Sequence, residues 1–140
     1  MHLEYSIEGG DFSKAGTASS EIKKILKQRN VSSAVIKRII IALYEAEVNI
    51  VAHAYRGTIN VEIDDDQVVI KLQDEGPGIA DISKAMQEGY STATAKVREM
   101  GFGAGMGLAN MKRNADQLNI SSKPGVGTNV EIINQLKRNT

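Results

Sequence analysis

The chain has no cysteine and no tryptophan, and only two prolines; aromatic residues make up 4% of it. Without cysteine there is no disulfide, no cysteine zinc site and no thiol nucleophile. That usage is compatible with a reducing compartment, and a cytoplasmic location is the expectation. Scarce aromatics argue against a platform on which nucleic-acid bases stack. An excess of one charge is missing too: 17 basic residues balance 17 acidic ones. A nucleic-acid binder shows a basic excess or stripe, so no direct nucleic-acid partner is expected. The clusters "KKILKQR" and "KR" read as solvated helix faces. No apolar run approaches the roughly 20 residues that span a bilayer. The opening "MHLEYSIEGGDF" has neither a basic n-region nor an apolar h-region, so neither a signal peptide nor a membrane partner is expected.

What is present fits one globular domain over residues 1–140, with 41% hydrophobic and 24% charged residues and enough length for a core. "LEYSIEG" alternates like an edge strand. Ser19 or Thr17 could cap a helix through "SEIKKILKQRN", and "VSS" caps a longer one over about Ala34 to Ala54. Val35, Ile36, Ile39, Ile40, Leu43 and Tyr44 make that second helix apolar on most sides, hence largely buried. Gly57 ends it or lies just beyond. "TINVEIDDDQVVIKLQDEG" reads as a hairpin, "ADISKAMQEG" as a short helix, and Tyr90 to Met100 as a loop. "MGLANMKRNADQL" reads as helix, and "NISSKPGVGTNVEII" as a final hairpin turning at "KPGVG". Strand pairs this close in sequence favour hairpins. The expected fold is α+β, a two-layer sandwich whose mixed, mostly antiparallel sheet is covered on one face by helices.

One stretch of the long helix is unusual. In "YEAEVNIVAH", Glu45, Asn49 and His53 recur every fourth residue within an apolar sequence. Positions four apart share one side of a helix. Burying such groups unpartnered costs about 1–3 kcal/mol each. A solvent-facing seam would explain the stripe; so would the wall of a cleft. There the Glu can accept a proton and the Asn oxygen can bind a hard cation such as Mg²⁺. Glu47 points elsewhere and reads as a surface charge.

Three glycine-rich segments follow. "DEGPGI" ends a strand at Asp74, and Gly76 and Gly78 allow backbone positions that a Cβ forbids. It is a plain turn, or a place where Asp74 accepts a hydrogen bond from an amino group such as that of adenine. "GFGAGMGLANM" sets Gly101, Gly103, Gly105 and Gly107 at alternate positions before a helix, which suits a phosphate chain. It fits neither G-x-G-x-x-G nor a P-loop. "GVGT", Gly125 to Thr128, is by itself only a turn.

These four blocks, in this order over Tyr44 to Val130, resemble the motifs of the GHKL ATP-binding superfamily with its Bergerat fold: an E-x-x-x-N-x-x-x-H box, a D-x-G-x-G box, a glycine box closing the ATP lid, and a final G-x-G-T box. "DEGPGIADISKAMQEGYST" and the compact length look like the bacterial anti-sigma factor and switch serine/threonine kinases. The loop through "ATAKVREM" is longer than in the short-lid switch kinases.

The resemblance implies a kinase that uses ATP and Mg²⁺ to phosphorylate a STAS-domain antagonist protein and so regulates transcription. Glu45 is then the general base, and Asn49 holds Mg²⁺. His53 lies further along the same wall, near phosphates or ribose. Asp74 reads the adenine amino group, with Gly76, Gly78 and Ile79 near the base. Gly103, Ala104, Gly105, Met106, Gly107 and Leu108 wrap the phosphates, and Arg98 in the lid reaches for the γ-phosphate. Thr128 sits close to Asp74 and helps fix adenine. A sigma factor is a second partner to consider, and a homodimer stands beside the monomer, since anti-sigma relatives are often dimers. Two alternatives stay open: a nucleotide-gated anti-sigma binding module without significant turnover, and a detached histidine-kinase catalytic domain.

Overall fold

The computed structural model describes residues 1–78 and 107–137. The short helix "ADISKAMQEG" and the loop from Tyr90 to Met100, expected from sequence, lie outside them. Among the described residues, five strands form one sheet: β1 (His2–Glu8), β2 (Arg56–Ile63), β3 (Gln67–Glu75), β4 (Gln117–Lys123) and β5 (Gly127–Gln135). Their order is β1-β2-β3-β5-β4, and every pairing is antiparallel. Among the described residues the sheet is therefore wholly antiparallel where a mixed one was expected: β2–β3 and β4–β5 are hairpins, and β1 and β5 run opposite to the β2 and β3 they join. Three α-helices among the described residues pack with it: α1 (Thr17–Gln28), α2 (Ser33–His53) and α3 (Gly107–Asn114). No helix among the described residues is long and apolar enough to cross a membrane.

Period-two alternation places Ile59, Val61 and Ile63 of β2, and Val68, Ile70 and Leu72 of β3, on the covered face. Against them lie Ile36, Ile39, Leu43, Ala46 and Ile50, the three-four spaced face of α2. Each fully buried Ile or Leu contributes roughly 1.5–3 kcal/mol, so α2 is fixed along its length by this face. Tyr44 is the exception to its expected burial, at 38% exposed. Gly57 lies inside β2, paired with Asp74, instead of closing α2. The helix stops at His53, and Ala54 is already extended.

Two helix boundaries differ from expectation for local reasons. Neither Thr17 nor Ser19 caps α1: the cap position is Gly16, with φ 92° and no side-chain bond. The free N–H groups go to Glu47 instead. Its carboxylate accepts from Ala18 N at 3.1 Å, Ser19 N at 3.2 Å and Ser19 Oγ at 2.7 Å. Glu47 is 2% exposed, so the surface-charge reading was wrong. It is a buried anion at a helix N-terminus, where the orphan donors and the dipole both favour negative charge. Ser32 stands at the α2 cap position without a side-chain cap bond.

The helix expected to reach Leu118 ends at Asn114. There the Asn134 amide donates to the Asn114 carbonyl at 2.9 Å, and Asp116 Oδ2 accepts from Gln135 N at 2.7 Å. The end of the helix is thus tied to β5, and β4 begins at Gln117.

Candidate functional site

Glu45, Asn49 and His53 are half-buried on α2. The N-terminus of α3 meets the first two. A Cβ added at Gly107 would stand 3.2 Å from Asn49 Oδ1, 3.3 Å from its Nδ2 and 3.5 Å from Glu45 Oε2. That is tighter than ordinary contact for the amide, so a side chain at position 107 would fill the space between α3 and the polar stripe. One turn further along α3, Asn110 Nδ2 donates to Glu45 Oε1 at 3.1 Å. Sequence reasoning missed Asn110; its signal was a spacing of three from Gly107 on the same helix. Leu108 is placed differently from the other glycine-box residues, with its side chain 7% exposed in the core. Only its backbone remains to face a ligand.

The second cluster lies just past the C-terminus of α2. Thr128 N donates to Asp74 Oδ1 at 3.1 Å, and among the described residues Oδ2 has no donor. Burial pushes the Asp74 carboxyl above its ordinary value, opposed by the Thr128 N–H. The Asp74–Gly78 segment is stitched to the β4–β5 turn. Gly76 N donates to Val126 O at 3.0 Å and Gly125 N to Pro77 O at 2.8 Å. Gly78 has φ 73°, and a Cβ there would fall 2.6 Å from Lys123 O. Both backbone angle and space demand glycine. At Gly127 a Cβ would fall 2.0 Å from Asp74 O, so hairpin and strand end are in direct backbone contact.

Thr128 is buried, and its hydroxyl is 2.9 Å from Ser122 Oγ, its cross-strand partner. It meets Asp74 through its backbone and not through its hydroxyl. Ser122 is a second residue that sequence reasoning missed.

The chain thus brings Glu45, Asn49 and Gly107 together, and separately Asp74, Gly76, Gly78 and Thr128. His53 stands between. A Cβ on Gly76 would lie 3.0 Å from Ala54 Cα and 3.5 Å from His53 O, so the end of α2 abuts the second cluster. Burial lowers the His53 pKa, which favours the neutral imidazole. Eight residues at about 1.5 Å each separate Glu45 from His53 by about 12 Å. Ile79, Arg98, Gly103, Ala104, Gly105 and Met106 lie outside the described residues.

A cation beside Asn49 would meet a neutral amide oxygen and a carboxylate, both hard donors of the kind Mg²⁺ takes. Among the described residues no cluster of three or more His, Asp or Glu forms, so such an ion would draw other ligands from phosphate and water. On its other side Glu45 borders an open groove of about 630 Å³, lined by the start of α1 with Lys23 and by Ile40, Ile41 and Tyr44 of α2.

Residues 11–133 match the histidine kinase-like ATPase domain family. The chain is 38% identical over 103 residues to the anti-sigma F factor of Caldanaerobacter subterraneus subsp. tengcongensis, covering 70% of this chain and 68% of that protein. It is 36% identical to the serine/threonine-protein kinase RsbT of Bacillus subtilis, over 71% of this chain and 72% of that one. The anti-sigma F factor of Bacillus subtilis is 27% identical across 99% of this chain and 93% of its own length. A crystal structure of RsbU and RsbW domains from Mycobacterium tuberculosis superposes with a TM-score of 0.65 at 16% identity, covering 99% of this chain and 32% of that one. At that identity it speaks for the fold alone.

Proposed function

The chain belongs to the GHKL, histidine kinase-like ATPase family and to its anti-sigma kinase group, and from that premise we propose that it is an ATP-dependent serine/threonine protein kinase acting on a STAS-domain antagonist, and so a regulator of transcription. The observation that carries this reading is the junction at Gly107, where a carboxylate, an amide and a helix N-terminus converge.

Phosphoryl transfer asks the protein mainly for positioning and charge neutralisation. The Asp74 carboxylate accepts from the adenine amino group through Oδ2, while Thr128 N–H holds Oδ1. The backbone from Gly76 to Gly78 lies against the base. α3 aims the N–H groups of its first turn at the phosphates. Asn49 would hold Mg²⁺ through its side-chain oxygen, and the ion would supply neutralisation of phosphate charge. Glu45 takes the proton from the attacking hydroxyl. His53, held neutral, lines the wall without adding charge. By family resemblance Ile79 is assigned to the base, Gly103 to Met106 to the phosphates and Arg98 to the γ-phosphate.

The test is transfer from γ-labelled ATP, with Mg²⁺, to a cognate STAS-domain protein. Acid-stable label on serine or threonine is expected, and Glu45→Ala should cost roughly 10²–10⁴-fold in rate, the usual share of a general base. Full activity in that variant rejects the base assignment. Acid-labile label would point instead to a histidine-kinase catalytic domain. The near full-length match to an anti-sigma F factor favours a second reading, a nucleotide-gated binder of a sigma factor. A stoichiometric sigma complex with no phosphate transfer would select it.

A further inference from the structure

We propose that Asn110 is a positioning residue for phosphoryl transfer: its amide holds one oxygen of the Glu45 carboxylate and so presents the other to the attacking hydroxyl. The inference rests on the kinase reading and deepens it. Asn110 Nδ2 donates to Glu45 Oε1 at 3.1 Å in a partly buried setting. Arg113 donates to Asn110 Oδ1 at 3.4 Å. The guanidinium is a donor only, so it fixes Oδ1 as the acceptor and Nδ2 as the group facing Glu45. Oε2 then looks toward Gly107, 3.5 Å from where a Cβ would stand.

A carboxylate torsion is broad and roughly two-fold when nothing holds it. Asn110 removes that freedom. It also stands on the helix whose first residue meets Asn49. The group that orients the base and the N–H groups aimed at phosphate therefore move as one body, and a shift of α3 along α2 would disturb both together.

The experiment compares Asn110→Leu, which keeps approximate shape and loses the donor, with Asn110→Gln, which keeps a side-chain amide. Transfer is measured from γ-labelled ATP to a STAS-domain protein that the wild-type chain phosphorylates, and ATP affinity is measured by calorimetry. N110L should lower kcat roughly 10- to 100-fold, as small misplacements of a catalytic group do. ATP affinity and KM for the protein should stay within about twofold, the pattern of a loss confined to the transition state. N110Q should recover much of the rate, and in a Glu45→Gln background N110L should add no further loss. Wild-type kcat in N110L, a parallel loss of ATP affinity, or an additive loss in the Glu45→Gln background overturns the positioning role and leaves the kinase reading standing. A wild-type chain that binds ATP and transfers no phosphate overturns the kinase reading, and the positioning role falls with it.

Discussion

The two clusters beside the C-terminal half of α2 are built differently. Beyond its C-terminus, Asp74, Gly76, Gly78 and Thr128 are locked by backbone hydrogen bonds and by contacts too close for a Cβ. Around Glu45 and Asn49 the contacts come from side chains and from the start of another helix. The first cluster is held rigid by backbone contacts, as the proposed adenine site requires. The second depends on where α3 lies. Recognition of a base tolerates no change of shape, whereas a phosphoryl group must be gripped and then released. A similar contrast separates Glu45 from Glu47, two residues apart. One is half-buried beside the proposed nucleotide cleft; the other is fully buried and welds α1 to α2.

Removing the Glu47 carboxylate should have the largest effect on the fold. Glu47→Leu leaves two α1 N–H groups and the Ser19 hydroxyl without their acceptor, and the expected loss is about 2–4 kcal/mol in urea unfolding. Glu45→Ala, which loses the single Asn110 bond of a half-buried carboxylate, should cost about 1 kcal/mol or less there. Equal losses would erase the distinction between the two carboxylates.

Gly78→Ala comes next. The Cβ meets Lys123 O at 2.6 Å and the backbone sits at positive φ, so a loss of about 1–3 kcal/mol is expected with weaker ATP binding. An unchanged affinity would mean that the cluster is softer than its bonds imply.

A pH effect should separate the clusters further. Burial raises the Asp74 pKa, so its proton is held more tightly in the folded chain than in the unfolded one. The stability this contributes is present below the ordinary carboxylate value and is lost as pH rises through the raised one. Nucleotide binding runs the other way, because the adenine amino group needs the ionised form as acceptor. ATP affinity should fall as pH drops through that same raised value, and an Asp74→Asn variant should lack that titration.

The smallest effect lies away from the cleft. The Gln135 N–H first, and then the Arg38 guanidinium, hold the Asp116 carboxyl below its ordinary value. Its contribution is present above the unfolded value and is lost as pH falls through the lowered one. Both groups are largely solvated, so Arg38→Ala should cost under about 1 kcal/mol at neutral pH, and less in acid.

The strands, the long helix and both hairpins were legible because period two and period 3.6 are local properties of the sequence. The fourfold spacing of Glu45, Asn49 and His53 was legible for the same reason. The role of Glu47 was not. Its partners lie 28 and 29 residues away, and nothing in "EAEVN" says which of two glutamates will meet a helix end. Asn110 was hidden likewise, since its bond to Glu45 spans 65 residues. The end of α3 was misplaced because helix-compatible residues continue past Asn114, while the pairing of Gln117 with Ile133 draws the chain into β4.

Calorimetric titration of ATP into the wild-type chain and Asn49→Ala, each with Mg²⁺ and then with EDTA, tests most directly whether the polar stripe of α2 is one wall of a magnesium–nucleotide site. The wild type should bind ATP with Mg²⁺ and weaken at least about tenfold, or 1.4 kcal/mol, without it; Asn49→Ala should bind equally weakly in both. No ATP heat in the wild type, or a full Mg²⁺ gain surviving in Asn49→Ala, would contradict it.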